Sequence, residues 1–266
     1  MPCAGLRVNV LLCLIVFFGL VSGGSYYNDS LVVREILDVN GLDTVTVESV
    51  TSVIGGRVYG LYLHGMQLHT LPESLGDLDS LGNLQIQENQ IPAIPRSIGS
   101  CKFLQYLSAY NNLIHELPEE ITECKNLVLL YLFGNRFAKW PEILSELPKL
   151  ESINLADNHL IEVPAAIADY QSLTDLSLYN NYLSALPEQF IDMVLKSVSI
   201  SGNVLCSLTP EMELWLDTYD WNKEDGRWRT YQACDSYGPD SAVVWQLLVR
   251  NGWDAVTVEV VTPPES

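Results

Sequence analysis

A pattern that recurs every 23 residues restricts the possible folds of this chain more than any other feature of its sequence. In residues 127–149, apolar side chains stand five and three positions before Asn135 and two, five and nine positions after it, and a proline stands six positions after it. The same apolar spacing surrounds the asparagines of four further copies, and of a last copy that follows after 22 residues: Asn89, Asn112, Asn158 and Asn181, then Asn203. A further copy precedes these six and has Met66 in place of the asparagine, so the chain contains seven copies.

The residues before each asparagine predict a short β-strand, because apolar and other side chains alternate there with a period of two. One strand per copy, all running in the same direction, predicts a parallel sheet. The asparagine lies where the chain leaves the strand, and its amide can bond to backbone groups that no longer have partners in the sheet. We therefore expect a ladder of stacked asparagines: Asn89, Asn112, Asn135, Asn158, Asn181 and Asn203.

Residues 58–208 resemble the repeats of extracellular leucine-rich-repeat proteins, through the L-x-x-L-x-L-x-x-N-x-L pattern and the Leu-Pro steps that follow it. The resemblance implies an α/β leucine-rich-repeat solenoid with a curved, concave parallel sheet of one strand per repeat. It also implies a protein-binding role. Residues 24–57 and 209–234 look like the N-terminal and C-terminal caps of such arrays, which cover a core that the end repeats otherwise expose.

The first 23 residues have the organisation of a secretory signal peptide. Arg7 precedes an apolar run from Val8 to Val21, and small residues follow. The run is shorter than the roughly 20 apolar residues that a membrane span requires, and no second run follows it. We therefore expect a secreted, extracellular protein (periplasmic in a bacterium) without membrane insertion. An uncleaved N-terminal anchor is the alternative, and Asn28 would be a glycosylation site in a eukaryotic secretory pathway.

The N-terminal cap is expected to combine a helix and a strand. Asp29 and Ser30 have the chemistry of a helix N-cap, and the spacing of the apolar residues after them predicts a helix from Leu31 to about Val39. Residues 44–48 alternate and predict a strand. Gly55 and Gly56 predict a turn before the first repeat.

Four cysteines remain once the signal peptide is removed. Cys206 and Cys234 flank one segment and predict a disulfide, which an exported chain permits. Cys101 and Cys124 each lie twelve positions after the asparagine of their repeat, so they are expected on adjacent turns. We favour the interpretation that both cysteines are buried thiols that act as small apolar side chains. A disulfide between adjacent turns is the alternative.

The C-terminal part contains a predicted lid and a duplicated segment. Leu214, Trp215 and Leu216 predict an apolar lid over the last repeat, with Trp221 and Trp228 beside it. The tail, residues 235–266, repeats the N-terminal cap, because residues 240–262 match residues 29–51 at a constant offset of 211. We favour a remnant of a duplication over a surface that docks on another chain.

The candidate binding site is the outward face of the sheet. If the leucines of each strand point inward, the residues six, four and two positions before each asparagine point outward. Aromatic and large apolar residues are concentrated in the middle of this face, which is the composition of a binding hot spot, although tyrosine also suits exposed strands. The candidate partner-binding residues are Tyr62, His64, Tyr106, Tyr110, Leu129, Tyr131, Phe133 and Tyr179.

Composition and motifs exclude several classes of function. A net charge of −19 argues against a nucleic-acid partner or an anionic membrane surface. The four histidines form no metal-ligand spacing, and no catalytic motif occurs, so we expect no enzyme, no metal and no cofactor. The expected function is that of a monomeric module that recognises a protein ligand. Recognition of a cell-wall glycan is the alternative, and surface adhesion is a third interpretation.

Overall fold

The computed structural model describes residues 24–206 and 208–219, which form two helices and one eight-stranded sheet. Helix α1 spans Gly24–Val39 and helix α2 spans Pro210–Tyr219. The strands are β1 (Thr51–Ile54), β2 (Arg57–Tyr62), β3 (Asn83–Gln85), β4 (Tyr106–Ser108), β5 (Leu129–Tyr131), β6 (Ser152–Asn154), β7 (Asp175–Ser177) and β8 (Ser197–Ser199). They lie side by side in chain order.

The sheet confirms the predicted solenoid. Strand β1 is antiparallel to β2, and strands β2 to β8 are parallel to one another. The register repeats with the sequence, so that Leu84 pairs with Leu107 and Leu107 pairs with Leu130. These three leucines are fully buried, as the alternation predicts. Each successive strand therefore extends the same apolar layer by one repeat.

A row of short 3-10 turns forms the opposite side of the solenoid. Each turn follows the proline of a Leu-Pro step or of its Ile-Pro, Trp-Pro and Val-Pro equivalents. Proline holds φ near −65° and has no backbone N–H to donate, so the chain leaves the extended conformation of the sheet there. The turns are Glu73–Asp77, Arg96–Ser100, Glu119–Glu123, Glu142–Glu146, Ala165–Asp169 and Glu188–Asp192. One apolar residue per turn, such as Ile121 or Phe190, is fully buried against the back of the sheet. Each such side chain contributes about 1.5–3 kcal/mol of burial free energy.

The asparagine side chains join consecutive repeats. Asn135 Nδ2 donates to the carbonyl oxygens of Ala109 and Leu132, both at 2.9 Å, and its Oδ1 accepts from the backbone N–H of Ile114 at 3.0 Å. Asn89, Asn112, Asn158, Asn181 and Asn203 make the same kinds of bond, and all six side chains are buried. The amide thus satisfies backbone groups of two repeats at once.

The residue before each asparagine has a left-handed backbone conformation. Its φ lies between 50° and 73° in every repeat, for example 51° at Asn111 and 66° at Gly134. Glycine, asparagine and aspartate tolerate this region best, and they fill six of the seven positions; the exception is Glu88. The recurrence of Gly, Asn or Asp directly before the asparagine is a sequence signal for this left-handed conformation. The apolar pattern alone does not predict it.

The N-terminal cap differs from the sequence expectation in two ways. Helix α1 begins at Gly24, so the prediction that Asp29 and Ser30 cap a helix starting at Leu31 is wrong. Residues 44–48 are not a strand; β1 follows them at Thr51–Ile54 and pairs with β2 through the predicted turn at Gly55 and Gly56. Tertiary pairing with β2 decides which residues form the strand, because a short apolar alternation alone specifies it weakly.

Asp29 ties helix α1 to the first repeat. Its side chain is 1% exposed and accepts hydrogen bonds from Arg57 Nε and Nη2, both at 3.0 Å, and from the backbone N–H of Val58 at 2.8 Å. Arg57 also contacts the exposed carboxylate of Asp79 at 2.6 Å. The buried carboxylate therefore has three donors from strand β2.

We expect Asp29→Ala to lower the free energy of unfolding by about 2–4 kcal/mol, because it leaves the Val58 N–H and part of the Arg57 guanidinium buried without an acceptor. Asp79→Ala is the matched control: it removes an exposed partner of the same arginine and should cost less than about 1 kcal/mol. Urea denaturation of the two variants measures the difference. Equal effects would contradict the role assigned to burial.

Cys101 and Cys124 are free, buried thiols, which agrees with the favoured interpretation. Each sulfur lies against a carbonyl oxygen of the preceding turn: Cys101 Sγ is 3.8 Å from Leu75 O, and Cys124 Sγ is 3.2 Å from Ile98 O. Burial raises the pKa of Cys101 to about 12 and that of Cys124 to about 11. Both groups are therefore neutral thiols at physiological pH.

We expect iodoacetamide at pH 8 to leave Cys101 and Cys124 unmodified in the folded protein, because the thiolate is the reacting species and both thiols are buried with raised pKa values. In urea both should react fully. Mass spectrometry of the tryptic peptides measures the labelling. Rapid modification of either cysteine under native conditions would show that the turns open locally.

Helix α2 covers the last repeat. Thr209 Oγ1 accepts from the N–H of Met212 at 3.2 Å, and Pro210 occupies the first helical position, which is a favourable start for a helix. Trp215 packs edge-on against Phe190 and donates from Nε1 to Met193 O at 3.2 Å. The lid prediction is right for Trp215 and Leu216 but wrong for Leu214, which is exposed; Met212 is buried in its place.

Several sequence expectations concern residues outside the described ranges. These are the signal peptide 1–23, the lid residues Trp221 and Trp228, the partner Cys234 of the predicted Cys206 disulfide, and the duplicated tail 235–266. Within the described ranges, no helix is both long and apolar enough to cross a membrane.

Candidate ligand-binding face

The centre of the outward sheet face carries four aromatic rings and one leucine, which we call the aromatic patch: Tyr106, Tyr110, Leu129, Tyr131 and Phe133. Tyr110 and Phe133 are stacked, with ring centroids 4.2 Å apart and an interplanar angle of 11°. Tyr106 and Tyr131 meet edge to face at 5.6 Å. Leu129 lies beside Tyr106 in the register of β4 and β5. All five side chains are partly exposed.

The remaining candidate residues lie on the same face but apart from the patch. Tyr62 and His64 belong to the first repeat, where the Tyr62 hydroxyl is 3.2 Å from Ser52 Oγ. The repeat of Asn89, with Asn83, Gln85 and Gln87 at the outward positions, separates them from the patch. Tyr179 is 44% exposed and lies two repeats beyond Phe133. The structure thus brings together five of the eight candidates.

Ser108 lies at the floor of the aromatic patch. The strand alternation points it outward, but it is fully buried, and Tyr106, Tyr110 and Tyr131 are its neighbours on this face. Its hydroxyl has no hydrogen-bond partner in the part of the chain that the structure describes. A buried hydroxyl without a partner costs about 1–3 kcal/mol. The strand alternation does not predict this burial, which depends on the packing of side chains from neighbouring repeats.

The charge on this face is acidic. At the three outward positions of each repeat and the residue before the asparagine, the charged residues are Glu88, Asp157 and Asp175, and none is Lys or Arg. Burial, followed by the negative charge of the nearby Glu88, raises the pKa of Tyr110. Asp175 accepts from Ser197 Oγ at 2.7 Å and from Thr174 Oγ1 at 2.6 Å. The described residues contain no cluster of metal-ligating side chains.

Comparison with known proteins identifies the fold class. No protein-family model matches the chain, and no curated protein does. Among solved structures, a leucine-rich-repeat protein of Leptospira interrogans is 33% identical with a TM-score of 0.53, over 56% of this chain and 38% of that one. This chain thus spans less than half the length of that relative.

Two plant receptor kinases have the same architecture. The leucine-rich-repeat ectodomain of SOBIR1 from Arabidopsis thaliana is 24% identical with a TM-score of 0.52, over 60% of this chain and 97% of that one. Pollen receptor kinase 3 is 24% identical with a TM-score of 0.53, over 60% of this chain and 81% of that one. At this identity the likeness concerns the fold alone. Together with the strand-per-repeat sheet, the comparisons show that the chain has the leucine-rich-repeat fold.

Proposed function

We propose that this protein is a secreted binding module that holds a protein partner on the concave face of its sheet, with the aromatic patch at the centre of the contact. The observation that carries the proposal is the patch itself: four rings in two packed pairs stay partly exposed on one continuous sheet. Partly exposed rings that are concentrated at one place on a face indicate a surface that another molecule covers.

The surroundings of the aromatic patch support a protein contact. Neutral polar side chains flank it on both sides, namely Asn83, Gln85 and Gln87 on one side and Ser152 and Asn154 on the other. An apolar centre with a polar rim is the usual anatomy of a protein interface. The fold neighbours include receptor ectodomains, which supports recognition as the general role of this architecture. We expect a monomeric protein with one partner on this face.

That this chain is not an enzyme stays a prediction from its sequence. Cys101 and Cys124, at the core positions of their repeats, are neutral, buried thiols. The acidic residues of the outer turns, such as Glu119 and Glu142, are exposed and form a solvated surface.

Carbohydrate recognition is the second candidate. Tyrosine and phenylalanine rings can stack on the apolar face of a sugar, and the neutral amide side chains beside the patch can bond to its hydroxyl groups. Surface adhesion is a third candidate, which rests on the duplicated cap sequence of the tail.

Two binding screens with the same purified full chain separate these candidates. The first captures secreted proteins from the culture medium of the source cells on the immobilised chain, and the second applies the labelled chain to a glycan array. We expect a protein that is retained by the chain and lost when the aromatic patch is removed, with no binding to the array. Patch-dependent binding to glycans with no such protein would overturn the proposal in favour of carbohydrate recognition.

A further inference from the structure

One repeat interrupts the row of aromatic residues on the concave face. The position two residues before the asparagine is Tyr110, Phe133 and Tyr179 in the repeats of Asn112, Asn135 and Asn181. In the repeat of Asn158, between the last two, it is Ala156. The register of β5, β6 and β7 is continuous there, so the alanine leaves a slot between Phe133 and Tyr179, which we call the Ala156 slot.

The Ala156 slot has an aromatic wall and a recessed floor. Because Tyr110 and Phe133 are stacked along the direction of the repeats, the free face of the Phe133 ring points toward the space above Ala156. Tyr179 stands on the other side and is 44% exposed. Ala156 itself is 6% exposed, so its methyl group lies recessed relative to the two partly exposed rings.

The width of the slot suits a single planar group. Neighbouring strands lie about 4.8 Å apart, so Phe133 and Tyr179 are separated by roughly 9–10 Å, two strand spacings. A flat group in contact with a ring on each side needs about 7–8 Å, whereas two stacked groups would need more than about 10 Å. One planar layer fits, with a small tilt of either ring.

The rim of the slot carries a negative charge. Asp157 follows Ala156 directly, has a φ of 50° and is exposed. Its Oδ1 accepts a hydrogen bond from Asn180 Nδ2, and no other described residue bonds to this carboxylate. The hydrogen bond from Asn180 holds the Asp157 side chain beside the slot, and the second carboxylate oxygen of Asp157 can accept a further hydrogen bond. No Lys or Arg stands at the outward positions of the seven repeats to neutralise it.

We infer that the Ala156 slot binds an arginine side chain of the protein partner, which extends the proposed function to a specific recognition element. A guanidinium is planar, stacks on aromatic faces and bonds to a carboxylate, so it matches the walls and the rim together. A lysine ammonium is not planar. An inserted aromatic side chain would stack between the rings but would bring no donor for the second oxygen of the Asp157 carboxylate.

The test is a selection from a displayed random peptide library on the full chain. Peptides that bind the native chain are counter-selected on Ala156→Phe, which fills the slot and continues the ring row. Gln87→Phe is the matched control, because it adds a ring at the equivalent position on the far side of Tyr110 and leaves the slot open. We expect the selected peptides to contain an arginine and to bind the Gln87→Phe variant.

Substitution of that arginine in the peptide tests whether the slot recognises both the planarity and the charge of the guanidinium. Replacement by citrulline, which is planar but neutral, or by lysine, which is charged but not planar, should each weaken binding by about tenfold. The Asp157→Asn variant should bind the arginine peptide more weakly and should bind the citrulline peptide with unchanged affinity. Slot-dependent peptides that lack arginine, or that bind equally with citrulline, would overturn the arginine assignment and leave the concave-face proposal intact. A selection without any peptide that depends on the concave side chains would contradict both.

Discussion

Simultaneous replacement of Tyr110, Tyr131 and Phe133 by alanine is expected to weaken binding of the protein partner by at least about a hundredfold. Aromatic hot-spot residues at the centre of an interface cost about 1–2 kcal/mol or more each on truncation. Tyr110 packs against Phe133, and Tyr131 packs against Tyr106. The triple replacement therefore removes one pair entirely and leaves Tyr106 without the ring that it packs against. Surface plasmon resonance with the captured partner measures the change.

The control for this variant is Phe103→Ala. Phe103 is an aromatic residue that is 58% exposed, but it lies outside the outward strand positions and should have no effect on binding. Circular dichroism and urea denaturation check that the triple variant is folded, since a lost ring stack costs only about 0.5–1.5 kcal/mol beyond burial. Unchanged affinity of a folded triple variant would discard the aromatic patch as the binding centre.

Replacement of Asn135 by alanine is expected to lower the free energy of unfolding by about 3–4 kcal/mol. The substitution leaves the Ile114 N–H and the carbonyl oxygens of Ala109 and Leu132 inside the solenoid without their partner. Water cannot replace the amide, because the asparagine is buried.

The position of Asn135 predicts a second effect. Stability in a solenoid is close to a sum of repeat terms and nearest-neighbour interfaces, and this residue joins the central repeat, the fourth of seven, to the third. We therefore expect the variant to unfold less cooperatively in urea, with a lower slope of free energy against denaturant concentration. In variants that keep only one of the six tryptophans, the fluorescence of Trp140, in the repeat of Asn135, and that of Trp215, in helix α2, should then report different midpoints.

Asn126→Ala is the matched control for the asparagine ladder. Asn126 also joins repeats, because its Nδ2 donates to Lys102 O at 2.8 Å and its Oδ1 accepts from Lys149 Nζ at 2.6 Å. These bonds are exposed, so water can replace them, and the cost should stay below about 1 kcal/mol. A loss at Asn135 no larger than that at Asn126 would mean that the ladder contributes little to stability.

The separate contributions of sequence and tertiary structure are clearest at Leu107 and Asn112. A period of two places Leu107 inward, and the 23-residue recurrence stacks it on Leu130, so local alternation and repetition were sufficient to predict the parallel sheet and its class of fold. Asn112 was equally predictable, because the end of each strand leaves backbone groups that need a partner.

The cap and the site depended on contacts between distant residues. Asp29 has the chemistry of a helix N-cap, yet a bond to Arg57, 28 residues later, holds it inside helix α1. Sequence placed Tyr110 and Phe133 on one face but not in one stack, and it placed Ser108 outward although the rings around it bury it.

The sequence by itself therefore determined the repeat, the sheet, the direction in which each side chain points and the asparagine positions, because these follow from backbone periodicity. Only the tertiary structure decided how far helix α1 extends, which rings stack, and that Ala156 lies recessed beside Phe133 and Asp157. These features depend on side-chain packing across repeats, which no local pattern encodes.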